Sequence, residues 1–189
     1  MSNTPKKQRG RPQKASSTLS AESIVQQAKY LMKNDKKIPS IRQLAQSLGV
    51  DAMAIYYYFA NKNALLEAMT TSLVSDIYEP QAGATEQWQV ELTKLARSYL
   101  TILHEYDGLL DTLLTMGAES PAHVFISRFE QIVADLALST ERQTAFLHVF
   151  VDYLHGFSVA LSKDASGELT IEATEAPLNF LYQALHCDS

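Results

Sequence analysis

Residues 40–59 read Ser40-Ile41-Arg42-Gln43-Leu44-Ala45-Gln46-Ser47-Leu48-Gly49-Val50-Asp51-Ala52-Met53-Ala54-Ile55-Tyr56-Tyr57-Tyr58-Phe59, and this stretch decides the fold. Pro39-Ser40 opens a helix, with Ser40 and Gln43 spaced as a capping box. Leu44, Ala45 and Leu48 form its buried face, and Gly49 stands where a helix end needs a residue tolerant of left-handed geometry. Asp51 then caps a short helix predicted to run to Tyr58 or Phe59. Ala45, Gly49 and Ile55 stand at relative positions 0, +4 and +10. A helix-turn-helix needs a small residue where its helices meet, a permissive residue in the turn and an aliphatic in the second helix's core face. The exposed face of residues 52–57 is left free to enter a major groove.

On the N-terminal side, Ser20 caps a helix in which Ile24, Ala28, Leu31 and Met32 make one apolar stripe, with Leu19 and Ile24 spaced as a hydrophobic staple. Residues 1–17 read as a flexible basic arm, since Lys6, Lys7, Arg9, Arg11 and Lys14 face no acid and show no apolar periodicity. Within it, Arg9-Gly10-Arg11-Pro12 resembles the core of an AT-hook, whose arginines enter narrow minor grooves; the alternative is a generic basic tail. Either would strengthen binding to nucleic acid through counterion release. On the C-terminal side, Asn61 caps a fourth helix striped by Leu65, Leu66, Met69, Leu73 and Ile77.

Charge divides the chain in the same place. Residues 1–62 hold eleven Lys/Arg against three acids, a net +8, while residues 63–189 hold five against eighteen, a net −13; together they make the −5 of the whole. The split predicts a basic module for a polyanion joined to an acidic body with another task. Beyond a break at Pro80–Thr85 the pattern is helical: about Glu86–His104, Gly108–Met116, Ala122–Leu138, Thr140–Leu161 and Pro177–Cys187, with a polar loop over Lys163–Glu175. The fold class is therefore all-α: a basic arm (1–17), a three-helix DNA-binding domain (18–66) and an acidic helical body (67–189).

Composition excludes several classes. With 46% apolar and 20% charged residues the chain is globular, not disordered. The longest uninterrupted apolar runs are too short to span a bilayer, and the basic N-terminus lacks the apolar core of a signal peptide. The single cysteine, Cys187, precludes an internal disulfide and fits a reducing compartment, so a cytoplasmic location with no membrane partner is expected. There is no glycine-rich phosphate loop and no arrangement that implies catalysis, a cofactor or a metal centre. His148, Asp152 and His155 share one helical face and could hold a metal or an anionic ligand's proton, but interface or core packing is the favoured reading.

The segment Ser40–Val50, then Ile55-Tyr56, Phe59, Lys62 and Leu65-Leu66, resembles the DNA-binding domain of the tetracycline-repressor (TetR) family of bacterial transcriptional regulators. The close match covers about residues 19–70; the remainder is similar in length and helical pattern. The resemblance implies a homodimeric repressor released from a double-stranded DNA operator by a small molecule. By position, it implies that Arg42 reaches a base, that Ala52, Met53, Ala54 and Tyr57 face base edges, and that Tyr56 and Lys62 grip phosphates. At least one of Tyr56, Tyr57 and Tyr58 is expected to be a packing residue. Ala52, Met53 and Ala54 offer only apolar contact, which shifts specificity towards Arg42, Tyr57 and DNA shape.

In the body, Tyr78, Leu95 and Thr112 stand where tetracycline repressors present groups to drug and magnesium, so a tetracycline–magnesium site is not expected. An apolar pocket lined by Tyr99, Leu103, Leu113, Phe125, Phe129 and Phe150 is expected instead, for an effector of unknown identity. The resemblance assigns dimerisation to the last two long helices. Gly156 and Ala160 mark a small-residue track there, with Phe157, Leu161, Leu178, Leu181 and Leu185 supplying apolar area. A different class, an effector-independent DNA-architectural protein, is the main alternative; a small-molecule carrier with a vestigial helix-turn-helix is disfavoured by the +8 end.

Overall fold

Side-chain caps set the first four helices. Ser20 and Ser23 form a reciprocal capping box at the start of α1 (Ala21–Asp35), and Ser40 and Gln43 form another at α2 (Ile41–Leu48). Asp51 accepts from the Met53 amide at 2.8 Å to open α3 (Ala52–Tyr56), and Asn61 accepts from the Ala64 amide at 2.9 Å to open α4 (Lys62–Ser75). The computed structural model describes residues 19–81, 87–116 and 119–186. The basic arm with Arg9 and Arg11, most of the break after Pro80, and Cys187 lie outside the described residues.

Five further helices follow: α5 (Trp88–Glu105), α6 (Leu109–Met116), α7 (Glu119–Val133), α8 (Thr140–Lys163) and α9 (Glu175–His186). Short 3₁₀ turns at Ala134–Leu136 and Ile171–Thr174 link the later helices, the second inside the segment expected to be a loop. No strand occurs among the described residues, so the all-α class holds there. α3 ends at Tyr56, two or three residues earlier than expected, although the Phe59 amide still donates to the Ile55 carbonyl at 3.0 Å.

One continuous apolar core runs through both ends of the molecule, from Ile24, Leu44 and Ile55 to Phe129, Phe150 and Tyr182. α1 packs on α2 and α4, α2 packs on α3, and α4 packs on α6 and α7. α5 is the centre of the body, touching α7, α8 and α9. Residues 66 and 67, the expected domain boundary, lie inside the unbroken α4.

α8 is apolar on average over a window without holding one uninterrupted apolar run. An 18-residue window within it has a mean hydropathy of 1.3, long and apolar enough in principle to cross a membrane, yet only 28% of that window is buried. Counting uninterrupted apolar runs overlooked it because Asp152 and the histidines break the run. The helix is apolar on two faces. Phe146, Phe150 and Leu154 pack inward, while Val149 and Val159 face outward.

Candidate nucleic-acid interface and regulatory cavity

The α2–α3 corner is built by local hydrogen bonds. Gly49 takes φ +68°, its amide donates to the Gln46 carbonyl at 3.1 Å, and the Val50 amide donates to the Ala45 carbonyl at 3.0 Å. With Leu44, Ala45 and Ile55 buried, the opposite face is left outside. It carries Arg42 and Gln46 from α2 and Met53 and Tyr57 from the α3 region, the last two 70% and 86% exposed. Ala52 and Ala54 are half-buried beside them, Tyr56 is exposed, and Lys62 is exposed at the first position of α4. Large apolar side chains left in water on a short rigid element indicate a contact surface.

All three tyrosines of the run are exposed, so none is the core packing residue expected; Tyr58, the least exposed at 39%, is anchored through its hydroxyl. Its hydroxyl donates to the Leu19 carbonyl at 2.7 Å, tying α3 to the start of α1, and its ring meets Tyr57 edge-on. The charge of this end is also divided. Lys29 is buried and pairs with Asp76 at 2.6 Å, Lys33 pairs with Glu105 at 2.8 Å, and Lys36 donates to the Glu105 carbonyl at 3.3 Å. These three cations fasten the basic end to the body. Lys37, Arg42 and Lys62 remain exposed.

The body holds a partly open cavity of about 350 Å³ lined from α4, α5, α6, α7 and α8. Of the expected lining residues, Tyr99, Leu113 and Phe125 line it. Leu103, Phe129 and Phe150 do not. They are buried in the core, where Phe146 stacks with both Phe129 and Phe150, because apolar periodicity marks the inward face without showing which part of it is hollow. The cavity instead gains Val74 from α4, Pro121 and Ile126 from α7, and Leu147 and Val151 from α8.

His148, Asp152 and His155 also line it, so their shared face is turned to the cavity rather than only to packing. The Tyr99 hydroxyl and His155 Nε2 share a hydrogen bond of 2.9 Å. Burial pushes the Tyr99 phenol well above its ordinary pKa, so it keeps its proton. Burial likewise lowers the pKa of His155, against an opposing pull from Asp152, which leaves the imidazole neutral at pH 7. Among the described residues, no group of three His, Cys, Asp or Glu side chains is arranged to hold a metal ion. Tyr78, Leu95 and Thr112 are engaged elsewhere: Tyr78 donates to Glu91, Leu95 is in the core, and the Thr112 hydroxyl donates to the Gly108 carbonyl at 2.8 Å.

The cavity reaches the basic end through α4. Val74 lines it, and Arg128 of α7 donates to the carbonyls of Ile77 at 2.6 Å and Ser75 at 2.9 Å, just past Val74. A cation on the free carbonyls of a helix C-terminus both satisfies them and complements the helix dipole.

The outer faces of α8 and α9 form an open apolar hollow lined by Val149, Tyr153, Pro177, Phe180 and Leu181. Phe180 is 74% exposed; Gly156 and Ala160 are exposed, and Phe157 and Leu181 half-buried. Leu161, Leu178 and Leu185, expected on this face, are buried inside the protomer. Each of these helices has two apolar faces, and the leucines belong to the inner one.

The corner, the body and the cavity together define a helix-turn-helix protein with a helical body that holds a cavity. Residues 40–69 match the model of the bacterial regulatory proteins, tetR family. The chain carries this match over α2, α3 and the first part of α4. It is 35% identical over 96 residues to the tetracycline repressor protein class D of Escherichia coli, covering 48% of this chain and 43% of the relative, so it spans less than half the length of that relative. Among solved structures it is similar to BioQ with its double-stranded DNA operator (TM-score 0.72, 18% identity, 90% of this chain and 100% of that one). It is also similar to Streptomyces coelicolor ActR in complex with actinorhodin (TM-score 0.73, 15% identity, 90% and 97%). At these identities the structures establish the fold.

Proposed function

We propose that the protein is a homodimeric transcriptional repressor that binds a palindromic DNA operator and is released from it by a small molecule held in the body cavity. The carrying observation is the outward face of the α2–α3 corner, where Arg42, Met53 and Tyr57 stand exposed on a helix-turn-helix. In this reading Arg42 forks onto a guanine, Ala52, Met53 and Ala54 touch thymine methyls, Tyr57 meets a base edge, and Tyr56 and Lys62 hold phosphates. Arg9 and Arg11 of the arm would reach the adjacent minor groove. The class D relative is named a tetracycline repressor, and the BioQ and ActR structures hold an operator and actinorhodin respectively, which supports both halves of the proposal. The action is binding rather than catalysis, and it would take place in the cytoplasm. A largely apolar cavity in the body favours this over an effector-independent architectural protein, which needs none.

Dimerisation would use the α8–α9 hollow, with Gly156 and Ala160 allowing close approach and Phe157, Phe180 and Leu181 supplying apolar area. Nothing lies within 4 Å of where a Cβ on Gly156 would sit, so that position is open in the protomer. The test is selection of binding sites from random duplexes with the full chain and two variants. Arg42→Ala should lose about 1–3 kcal/mol of discrimination at one base pair of each half-site, and Lys62→Ala should weaken all sequences alike. Identical site preferences for Arg42→Ala and the unmutated protein would overturn the assignment.

A further inference from the structure

The cavity is apolar on the walls contributed by α6 and α7, where Leu113, Leu114, Pro121 and Phe125 meet it. Its polar groups come from α5 and α8 alone: Tyr99, His148, Asp152 and His155. No lysine or arginine is among the described lining residues, and Asp152 is the one lining side chain with a permanent charge. Asp152 sits at the rim, since it also edges the hollow between α8 and α9.

We propose that this cavity takes a compact, largely apolar organic cation, an aromatic molecule ending in a protonated amine, with Asp152 as its counter-charge. The inference rests on the reading of the cavity as the effector site and names the class of effector. Three features converge on it. A volume of about 350 Å³ lies near the small end of ligand pockets, enough for about two or three fused rings. A carboxylate facing no lysine or arginine across the cavity forms a short charge-assisted hydrogen bond to an ammonium, whereas an anionic ligand would be desolvated beside a like charge. Tyr99 and Phe125, whose ring centroids lie 4.9 Å apart, line the cavity and supply aromatic rings of the kind that attract cations.

The rest of the polar wall fits the same partner. The neutral His155 and protonated Tyr99 share one hydrogen bond, which leaves acceptor capacity on the Tyr99 oxygen for a second ammonium proton. Over a longer range, residues 63–189 carry eighteen acids against five bases, a field that draws cations towards the body and repels anions.

Three probes share a naphthalene skeleton and carry a positive, a neutral and a negative one-carbon substituent: 2-naphthylmethylamine, 2-naphthalenemethanol and 2-naphthoate. Titration calorimetry of the full chain should rank them in that order, with the amine at least about tenfold tighter than the carboxylate. Asp152→Asn should bring the amine down to the affinity of the alcohol and leave the alcohol unchanged. Leu113→Trp, which fills the cavity, should abolish binding of all three while thermal melting reports an intact fold. The proposal is overturned if the carboxylate binds as well as the amine, if the alcohol equals the amine, or if Asp152→Asn leaves the ranking unchanged. It is equally overturned if no probe binds at millimolar concentration, or if Leu113→Trp binds normally, which would put the probes outside the cavity. Because calorimetry is run without DNA, failure to select an operator would break the repressor reading and leave this ranking standing.

Discussion

The basic end and the helical body are held together by contacts of different range. In the basic end, all four helices begin at a side-chain cap whose partner lies two or three residues away, and the turn closes on one glycine. In the body, α5 begins without a side-chain cap, and the cavity gathers residues from Val74 to His155. The first region is specified by neighbours in sequence, the second by packing between distant helices. Recognition geometry can therefore stay constant while the cavity changes, since a substitution at Leu113 or Val151 touches none of the local bonds that shape α2 and α3.

The contrast is most exposed at Phe129, fully buried and stacked on Phe146 with ring centroids 6.0 Å apart. Phe129→Ala should cost about 3–5 kcal/mol in denaturant unfolding through lost burial and the hole left behind. A loss below about 1 kcal/mol would mean that the aromatic stack is not what organises the body. Phe180→Glu addresses the other apolar face. It places a charge in the α8–α9 hollow without disturbing the protomer core, so sedimentation should show a monomer and DNA affinity should fall by about two orders of magnitude, since a single half-site is then engaged. An intact dimer would remove the hollow from the interface.

Arg128 lies where the two regions meet. Arg128→Ala leaves the carbonyls of Ser75 and Ile77 without their donor, an expected loss of about 1–3 kcal/mol. The sharper readout is coupling: a cavity ligand should no longer weaken DNA binding as strongly, because α7 has lost its hold on the end of α4. Unchanged coupling in a folded Arg128→Ala protein would show that the signal travels by another route, such as α6.

What could be read from the sequence follows the same division. Ser40, Gln43, Gly49, Asp51 and Asn61 stand in the structure in the roles their spacing predicts, because each acts within one helical turn. The face shared by His148, Asp152 and His155 was legible, but its orientation was not, since Tyr99 lies 56 positions from the His155 it bonds. Periodicity also could not say which of two apolar faces is inward, hence Leu161, Leu178 and Leu185 prove to be core. Net charge misled in one respect. Lys29, Lys33 and Lys36 count towards the basic end, yet their partners Asp76 and Glu105 sit on the body side.

The smallest effect tests the locality of the basic end most directly. The Ser40 hydroxyl accepts from the Gln43 amide at 3.2 Å, and Gln43 Oε1 returns the contact to the Ser40 amide at 3.0 Å. Ser40→Ala removes the first bond, and with it the hydroxyl's own donation to Gln43 Oε1 at 2.9 Å, and leaves the backbone bond intact, so the cost should be about 1 kcal/mol, within the usual range for a lost N-cap. Since α2 is eight residues long and its cap is its only anchor of this kind, the loss should appear as faster amide exchange in residues 41–44. DNA affinity should fall with it, because Arg42 sits in that first turn. Amide protection in α5, α7 and α8 should not change, and probe binding in the cavity should keep its affinity. If exchange quickened throughout the body as well, the cap would be reporting global stability, and the two regions would have to be treated as one cooperative unit.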